Sequence, residues 1–206
     1  MRIKKGSIQI LLGVLLILSG FLLTGYNIWE GNEAAQASQE AVILLDEIVV
    51  AEQEENALQQ PTEVLLPDYV LDPEMEMPTR AIDGWDYVGI LEIPDLNLSL
   101  PIINEWSYPA LKVAPCRYEG TAYKKNMVIA AHNYQSHFAK LHELAVGAEI
   151  FFTDMAGNRF SYVLAQHEVL QPTDVEEMCS GEWPLTLFTC TVDGQARITL
   201  RCDEKN

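Results

Sequence analysis

Apolar and polar positions change rhythm twice along the chain. From Gly6 to Trp29 no charged residue occurs, and the centre of that stretch, Ile8 to Leu23, is dominated by Leu, Ile and Val. An uncharged run of this length can cross a hydrocarbon core as a single helix. Residues 30–60 are acidic and rich in Gln and Ala, broken by apolar patches at Val42–Leu45 and Ile48–Val50. That composition suits either a helical stem or a partly disordered spacer with a solvated surface. Pro61, Pro67, Pro73 and Pro78 then exclude a continuous helix through 61–80. The folded domain is expected to begin near Ile82.

Beyond Trp85 the period shortens. β-rich runs fall at 85–93, 97–103, 127–131, 149–153, 159–170 (one strand or two), 185–190 and 196–202, separated by turn signals. Gly157-Asn158 and Asp193-Gly194 mark tight hairpins. Helical pieces fit only at 105–112, 136–145 and 173–180. Seven or eight short strands with few helices predict a mainly β fold, a closed or nearly closed barrel. The chain therefore divides into a tip and membrane anchor (1–29), an acidic, Pro-containing stem (30–81) and a barrel (82–206).

Charge sharpens this division. The formal net charge is -17, yet no Lys or Arg lies between Lys5 and Arg80 while residues 30–80 hold 13 acidic side chains. The acidity is mostly a property of the stem. It excludes nucleic acid as a partner, because neutralising phosphates needs clustered cations. Arg2, Lys4 and Lys5 precede the apolar run, so the N-terminus is expected in the cytoplasm and everything after Glu30 outside. A cleaved signal peptide is the rival, with Ala35-Gln36-Ala37 as a small-x-small site. That site lies more than ten residues past the apolar centre, which favours an uncleaved anchor.

The last hairpin carries the chemistry. With Asp193-Gly194 as a two-residue loop, Cys190 lies directly opposite Arg197. Alternation puts Leu185, Leu187, Thr189, Ile198, Leu200 and Cys202 on a largely apolar face, and Thr186, Phe188, Cys190, Arg197, Thr199 and Arg201 on the other. A cation beside a thiol stabilises the nucleophilic thiolate. Arg201 is the competitor for that role, but four residues of strand carry it about 13 Å further along. Cys116, Cys179 and Cys202 form no C-x-x-C pair. They read best as buried thiols, with a Cys116–Cys202 or Cys179–Cys202 bridge as the alternative.

Leu185-Thr186-Leu187-Phe188-Thr189-Cys190, followed by Arg197 on the next strand, resembles the T-L-x-T-C signature of sortases. Ala131-His132-Asn133, at the end of the apolar run 127–131, resembles the segment carrying that family's catalytic histidine. The resemblance covers about 85–203. It implies a sortase barrel that cleaves an LPxTG-like sorting signal on surface proteins and passes the acyl group to an amine of a cell-wall precursor or a pilin. It makes Cys190 the nucleophile, His132 the proton donor and acceptor, and Arg197 the stabiliser of the oxyanion. Thr189 and Asn133 flank the pair as candidate substrate contacts. No cofactor is implied. Leu71-Asp72-Pro73-Glu74-Met75 resembles the Asp-Pro lid of pilus-building members but lacks its aromatic residue. The chain also stops at Asn206, without the C-terminal membrane helix that many of those enzymes carry. A housekeeping or accessory anchoring enzyme is expected.

The remaining polar residues point elsewhere. His137 and His142 are expected on the surface of a short helix, and His167 in a strand. His142-Glu143 is followed by Val146 where H-E-x-x-H needs a second histidine. Asp154, Asn158 and Asp174 lack calcium-loop spacing, so no metal site is expected. Two other functions stay open: a cysteine protease that hydrolyses its thioester, and an anchored surface module without chemistry. A papain-like arrangement is disfavoured because the cysteine follows the histidine and lies in a hairpin.

Overall fold

The computed structural model describes residues 5–59 and 66–205; Arg2, Lys4 and Pro61 lie outside them. One continuous helix, α1 (Lys5–Gln59), joins the apolar run to the acidic stem. Nine strands follow: β1 (Arg80–Ile82), β2 (Trp85–Ile93), β3 (Leu98–Ile103), β4 (Cys116–Glu119), β5 (Met127–Ala131), β6 (Glu149–Asp154), β7 (Arg159–Leu170), β8 (Leu185–Cys190) and β9 (Arg197–Glu204). The order β2-β3-β4-β5-β8-β9-β7-β6 closes through β6 onto β2, making an eight-stranded barrel with β1 flanking its edge. Closure brings β2 and β6 so near that a side chain at Gly89 would meet the Phe152 ring and the Thr153 carbonyl.

Seven of the nine strands fall where the alternation predicts them. Residues 159–170 form one strand, with a register shift between Leu164 and Gln166. The two unpredicted strands are the shortest. β1 spans three residues and β4 four, and the single β3–β4 pairing is Ile103 with Cys116. Helix is scarcer than expected within the barrel: α3 (Tyr108–Leu111) and α4 (Val175–Met178) are single turns, and 136–145 keeps only a 3-10 turn at Leu141–Glu143. In that last segment, Phe138, Leu141 and Leu144 turn into the core, and turn-type bonds replace an α ladder.

α1 has two halves with opposite surroundings. Residues such as Ile10, Leu16 and Leu22 are exposed, and the helix is long and apolar enough to cross a membrane. Its second half packs on the barrel through Ala34, Ser38, Ala41, Leu45 and Val49, all buried and spaced to share one helix face. Ala41, Leu45 and Val49 join Tyr87, Ile90, Ile103 and Ala110 in a second core outside the barrel lumen. Burying Leu45 alone contributes about 2 kcal/mol. The Ser38 hydroxyl donates to the Val113 carbonyl at 3.0 Å, and Lys112 pairs with Glu30 at 2.6 Å. Residues 66–79 then pack on the barrel. α2 (Asp68–Leu71) carries Tyr69, which stacks on Tyr123 at 4.7 Å, and Met77 is buried in the main core.

Candidate active site

The β8–β9 hairpin has the expected register. Cys190 pairs with Arg197, and the Thr191 amide continues the ladder to Ala196, leaving a turn closed by Gly194 N to Thr191 O. Leu185, Leu187, Thr189, Leu200 and Cys202 are buried on the inner face. The outer face is divided. Its far end is covered by α4, so Thr186, Thr199 and Arg201 are buried too. Its near end, with Phe188, Cys190 and Arg197, opens into a cleft.

The two arginines are thereby separated. Arg201 is 2% exposed and spends its donors on structure: Glu168 at 2.8 Å, the Met178 carbonyl and the Thr186 hydroxyl at 3.0 and 3.1 Å, and the Glu177 carbonyl at 2.8 Å. It pins α4 to the barrel. Arg197 donates only through Nη1, to the carbonyls of Ala196 at 3.2 Å and Gly194 at 3.4 Å; its Nε and Nη2 make no hydrogen bond among the described residues. Those donors remain available to a ligand in the cleft.

His132 follows β5, which runs parallel beside β8 with Ala131 paired to Thr189. This pairing brings the histidine to the cysteine, and both line the same cleft of about 240 Å³ with Arg197. The cleft walls come from Trp106, Tyr108 and Tyr118 on one side and Pro172, Val175 and Met178 on the other. A second, more polar cleft meets the first at His132 and Cys190. It is bounded by Asn133 to Ser136, Thr191, Val192 and one face of α1 that includes Asn27, Gly31 and Asn32.

Thr189 sits behind the site. It is 1% exposed and its hydroxyl donates to the Ala131 carbonyl at 2.9 Å, fastening β8 to β5 beside Cys190 and His132. Asn133 lies on the wall of the polar cleft. No residue of 66–79 lines either cleft; that segment lies on Tyr123 and Phe160 instead.

Burial lowers the pKa of His132 below its usual 6.5, opposed by the nearby Glu30 carboxylate and assisted by Lys112. Glu30 accepts from Lys112 and from the Tyr134 hydroxyl, which holds its carboxyl below the usual range. The Tyr134 ring leans on His132 with centroids 5.0 Å apart. Thus α1 supplies a charge to the histidine's surroundings, a contribution that sequence reading missed. The aromatic wall was missed as well; no spacing ties Trp106, Tyr118 and Phe188, although they form one stacked and edge-on series.

At the other cysteines burial disfavours the thiolate. Burial pushes the Cys116 and Cys179 thiols up to about 12 and Cys202 upward as well, and all four cysteines are free. His137, expected on the surface, is fully buried: its Nε2 lies 3.2 Å from the Ser38 hydroxyl, Nδ1 has no hydrogen-bond partner among the described residues, and burial pushes its pKa down to about 4. The stem helix provides the cover that turns it inward. His142 stays exposed, and His167 reaches the Leu144 carbonyl at 2.8 Å. Among the described residues no group of His, Cys, Asp or Glu could hold a metal ion. Asp154 is committed to the β6–β7 turn and to the Tyr123 hydroxyl, which donates to it at 2.7 Å.

Known proteins agree with this architecture. Comparison with curated protein sequences gives no match. Among solved structures, a sortase D5 transpeptidase of Clostridium perfringens superposes with a TM-score of 0.54 at 20% identity, covering 68% of this chain and 96% of that one. A Clostridium perfringens sortase C with the C-terminal cell wall sorting motif gives 0.53 at 24% identity, covering 81% and 90%. Sortase A from Corynebacterium diphtheriae gives 0.51 at 18%, covering 89% and 95%. At these identities the likeness establishes the fold. The sortase domain model matches residues 91–205, more than half of the chain and the whole hairpin that carries Cys190 and Arg197, and on that match the chain belongs to the sortase family.

Proposed function

We propose that this protein is a membrane-anchored cysteine transpeptidase that cleaves an LPxTG-like sorting signal and transfers the protein bearing it to an amine of the cell wall or of another surface protein. The apolar half of α1 is the anchor, with the N-terminus cytoplasmic and the barrel outside. The observation that carries the reading is the meeting of two clefts at His132 and Cys190, with Arg197 opposite the cysteine in register. An acyl donor in the aromatic cleft and an amine in the polar one would reach the same sulfur from two sides.

Cys190 gives its thiol proton to His132 and the sulfur attacks the scissile carbonyl, and the tetrahedral oxyanion is met by the uncommitted donors of Arg197. Collapse breaks the C–N bond; His132 gives a proton to the departing amine and a thioester remains. The acceptor amine attacks that thioester, His132 takes its proton, and the thiolate leaves. Thr189 acts as a positioning residue through its bond to Ala131. Asn133, on the wall of the polar cleft, contacts the acceptor.

A sorting-signal peptide incubated with and without an added amine tests the reading. Transfer requires a new amide product that grows with amine concentration. Cleavage that ignores the amine and yields only the free acid would make the enzyme a protease, and no cleavage would leave an anchored module.

A further inference from the structure

α1 does not end where its apolar stretch ends. Gly6–Trp29 spans about 36 Å at the helical rise, against a hydrocarbon core about 30 Å thick. The lipid–water boundary therefore falls within about the last turn and a half before Glu30. Tyr26 and Trp29, rings 6.0 Å apart, are the side chains suited to that boundary.

The barrel begins at the same level. Thr24, Asn27, Gly31 and Ala35 form one wall of the polar cleft that holds His132 and Cys190. Opposite them stands Val192, the tip of the β8–β9 turn, a β-branched side chain 97% exposed. Lys112, paired with Glu30, fixes α3 one turn outside the span, and Tyr108 on α3 is 73% exposed. Ala34, Ser38, Ala41, Leu45 and Val49 clamp the barrel to the helix, so it cannot swing away on a flexible tether.

We infer that the active-site end of the barrel rests on the bilayer, with the Val192 turn in the headgroup layer and the polar cleft opening onto the membrane surface. The partner is the lipid surface itself. The charged side chains placed at this face, Asp193, Arg197 and the Glu30–Lys112 pair, balance one another, so the contact is apolar and aromatic, and neutral lipid suffices. The inference rests on the anchor reading above but on none of the catalytic roles.

Nitroxide labels in the full chain, reconstituted in neutral phosphatidylcholine vesicles, provide the test. The background is Cys179→Ser with Cys190→Ala; Cys116 and Cys202 are buried and do not label. Collision with lipid-dissolved oxygen is compared with collision with a water-soluble nickel chelate at Leu16→Cys, Val192→Cys and Glu47→Cys. Glu47 is exposed on α1 and lies about 27 Å beyond Trp29 along the helix axis. The expected oxygen-to-chelate ratio is several-fold higher at 192 than at 47, and unchanged by salt. A lipid-like signal at 16 with 192 matching 47 overturns the docking and leaves the anchor standing. A water-like signal at 16 overturns the anchor, and the docking with it.

Discussion

Replacing Arg201 by methionine should unfold the protein far more readily than replacing Arg197, although the two stand four residues apart on one strand. The Arg201 guanidinium is buried and makes four hydrogen bonds. Removing it strands the carbonyls of Glu177 and Met178, each costing about 1–3 kcal/mol when desolvated and unpaired. Breaking a fully buried ion pair costs about 3–5 kcal/mol. The Glu168 side chain is 26% exposed and can rehydrate, which places the net loss near the middle, about 4 kcal/mol. The barrel covers 125 residues from Arg80 to Glu204. At about 2.1 cal/mol/K per residue its unfolding entropy makes this a fall in Tm of about 15 °C. Arg197→Met loses two long bonds at a solvated turn and should cost under about 0.5 kcal/mol, while peptide cleavage falls at least ~100-fold for want of the oxyanion's cation. Thermal unfolding of the detergent-solubilised chain, followed by tryptophan fluorescence, together with cleavage kinetics, measures both. A shift below about 1 kcal/mol for Arg201→Met, or equal stability losses for the two variants, would refute the division of labour.

Other outcomes follow from the same contacts. Gly89→Ala should cost about 1–3 kcal/mol by overpacking where β2 closes on β6, visible as a lower denaturation midpoint. His137 is held neutral, with a folded pKa of about 4 against an ordinary 6.5. The unfolded chain therefore binds the proton first, so stability is full above pH 6.5 and declines as pH falls toward 4, by about 3 kcal/mol from this group. Denaturant titrations at several pH values should show that slope in the parent and lose it in His137→Gln. Glu30→Gln should lower the His132 midpoint further and Lys112→Met should raise it, each read from the imidazole NMR shift; movement in the opposite sense would remove α1 from the histidine's electrostatics.

How much of this was legible in the sequence depended on range. The β8–β9 hairpin was readable because alternation and an Asp-Gly turn are local, and together they fix which residue faces which across two strands. β1 and β4 are too short to show a period and exist because neighbouring strands pair with them. The stem defeated the reading most. Ala34, Ser38, Ala41, Leu45 and Val49 form a helical stripe hidden among acidic residues, and nothing in it says what it covers. Once α1 lies on the barrel, His137 turns inward, Glu30 approaches His132, and the long apolar helix continues into one wall of the cleft that holds His132 and Cys190. Arg201 carried a correct local argument, distance from Cys190, but its burial under α4 needed the loop 171–184 in place.

The central claim is that sulfur, imidazole and guanidinium at 190, 132 and 197 act together on one acyl group. Intact-mass spectrometry of the full-length enzyme with a sorting-signal peptide tests it most directly. A mass increase equal to the acyl fragment, mapped to Cys190, discharged by an added amine and lost in His132→Ala and Arg197→Ala, is the predicted result. An adduct on another cysteine, or an undiminished adduct in both variants, would contradict it.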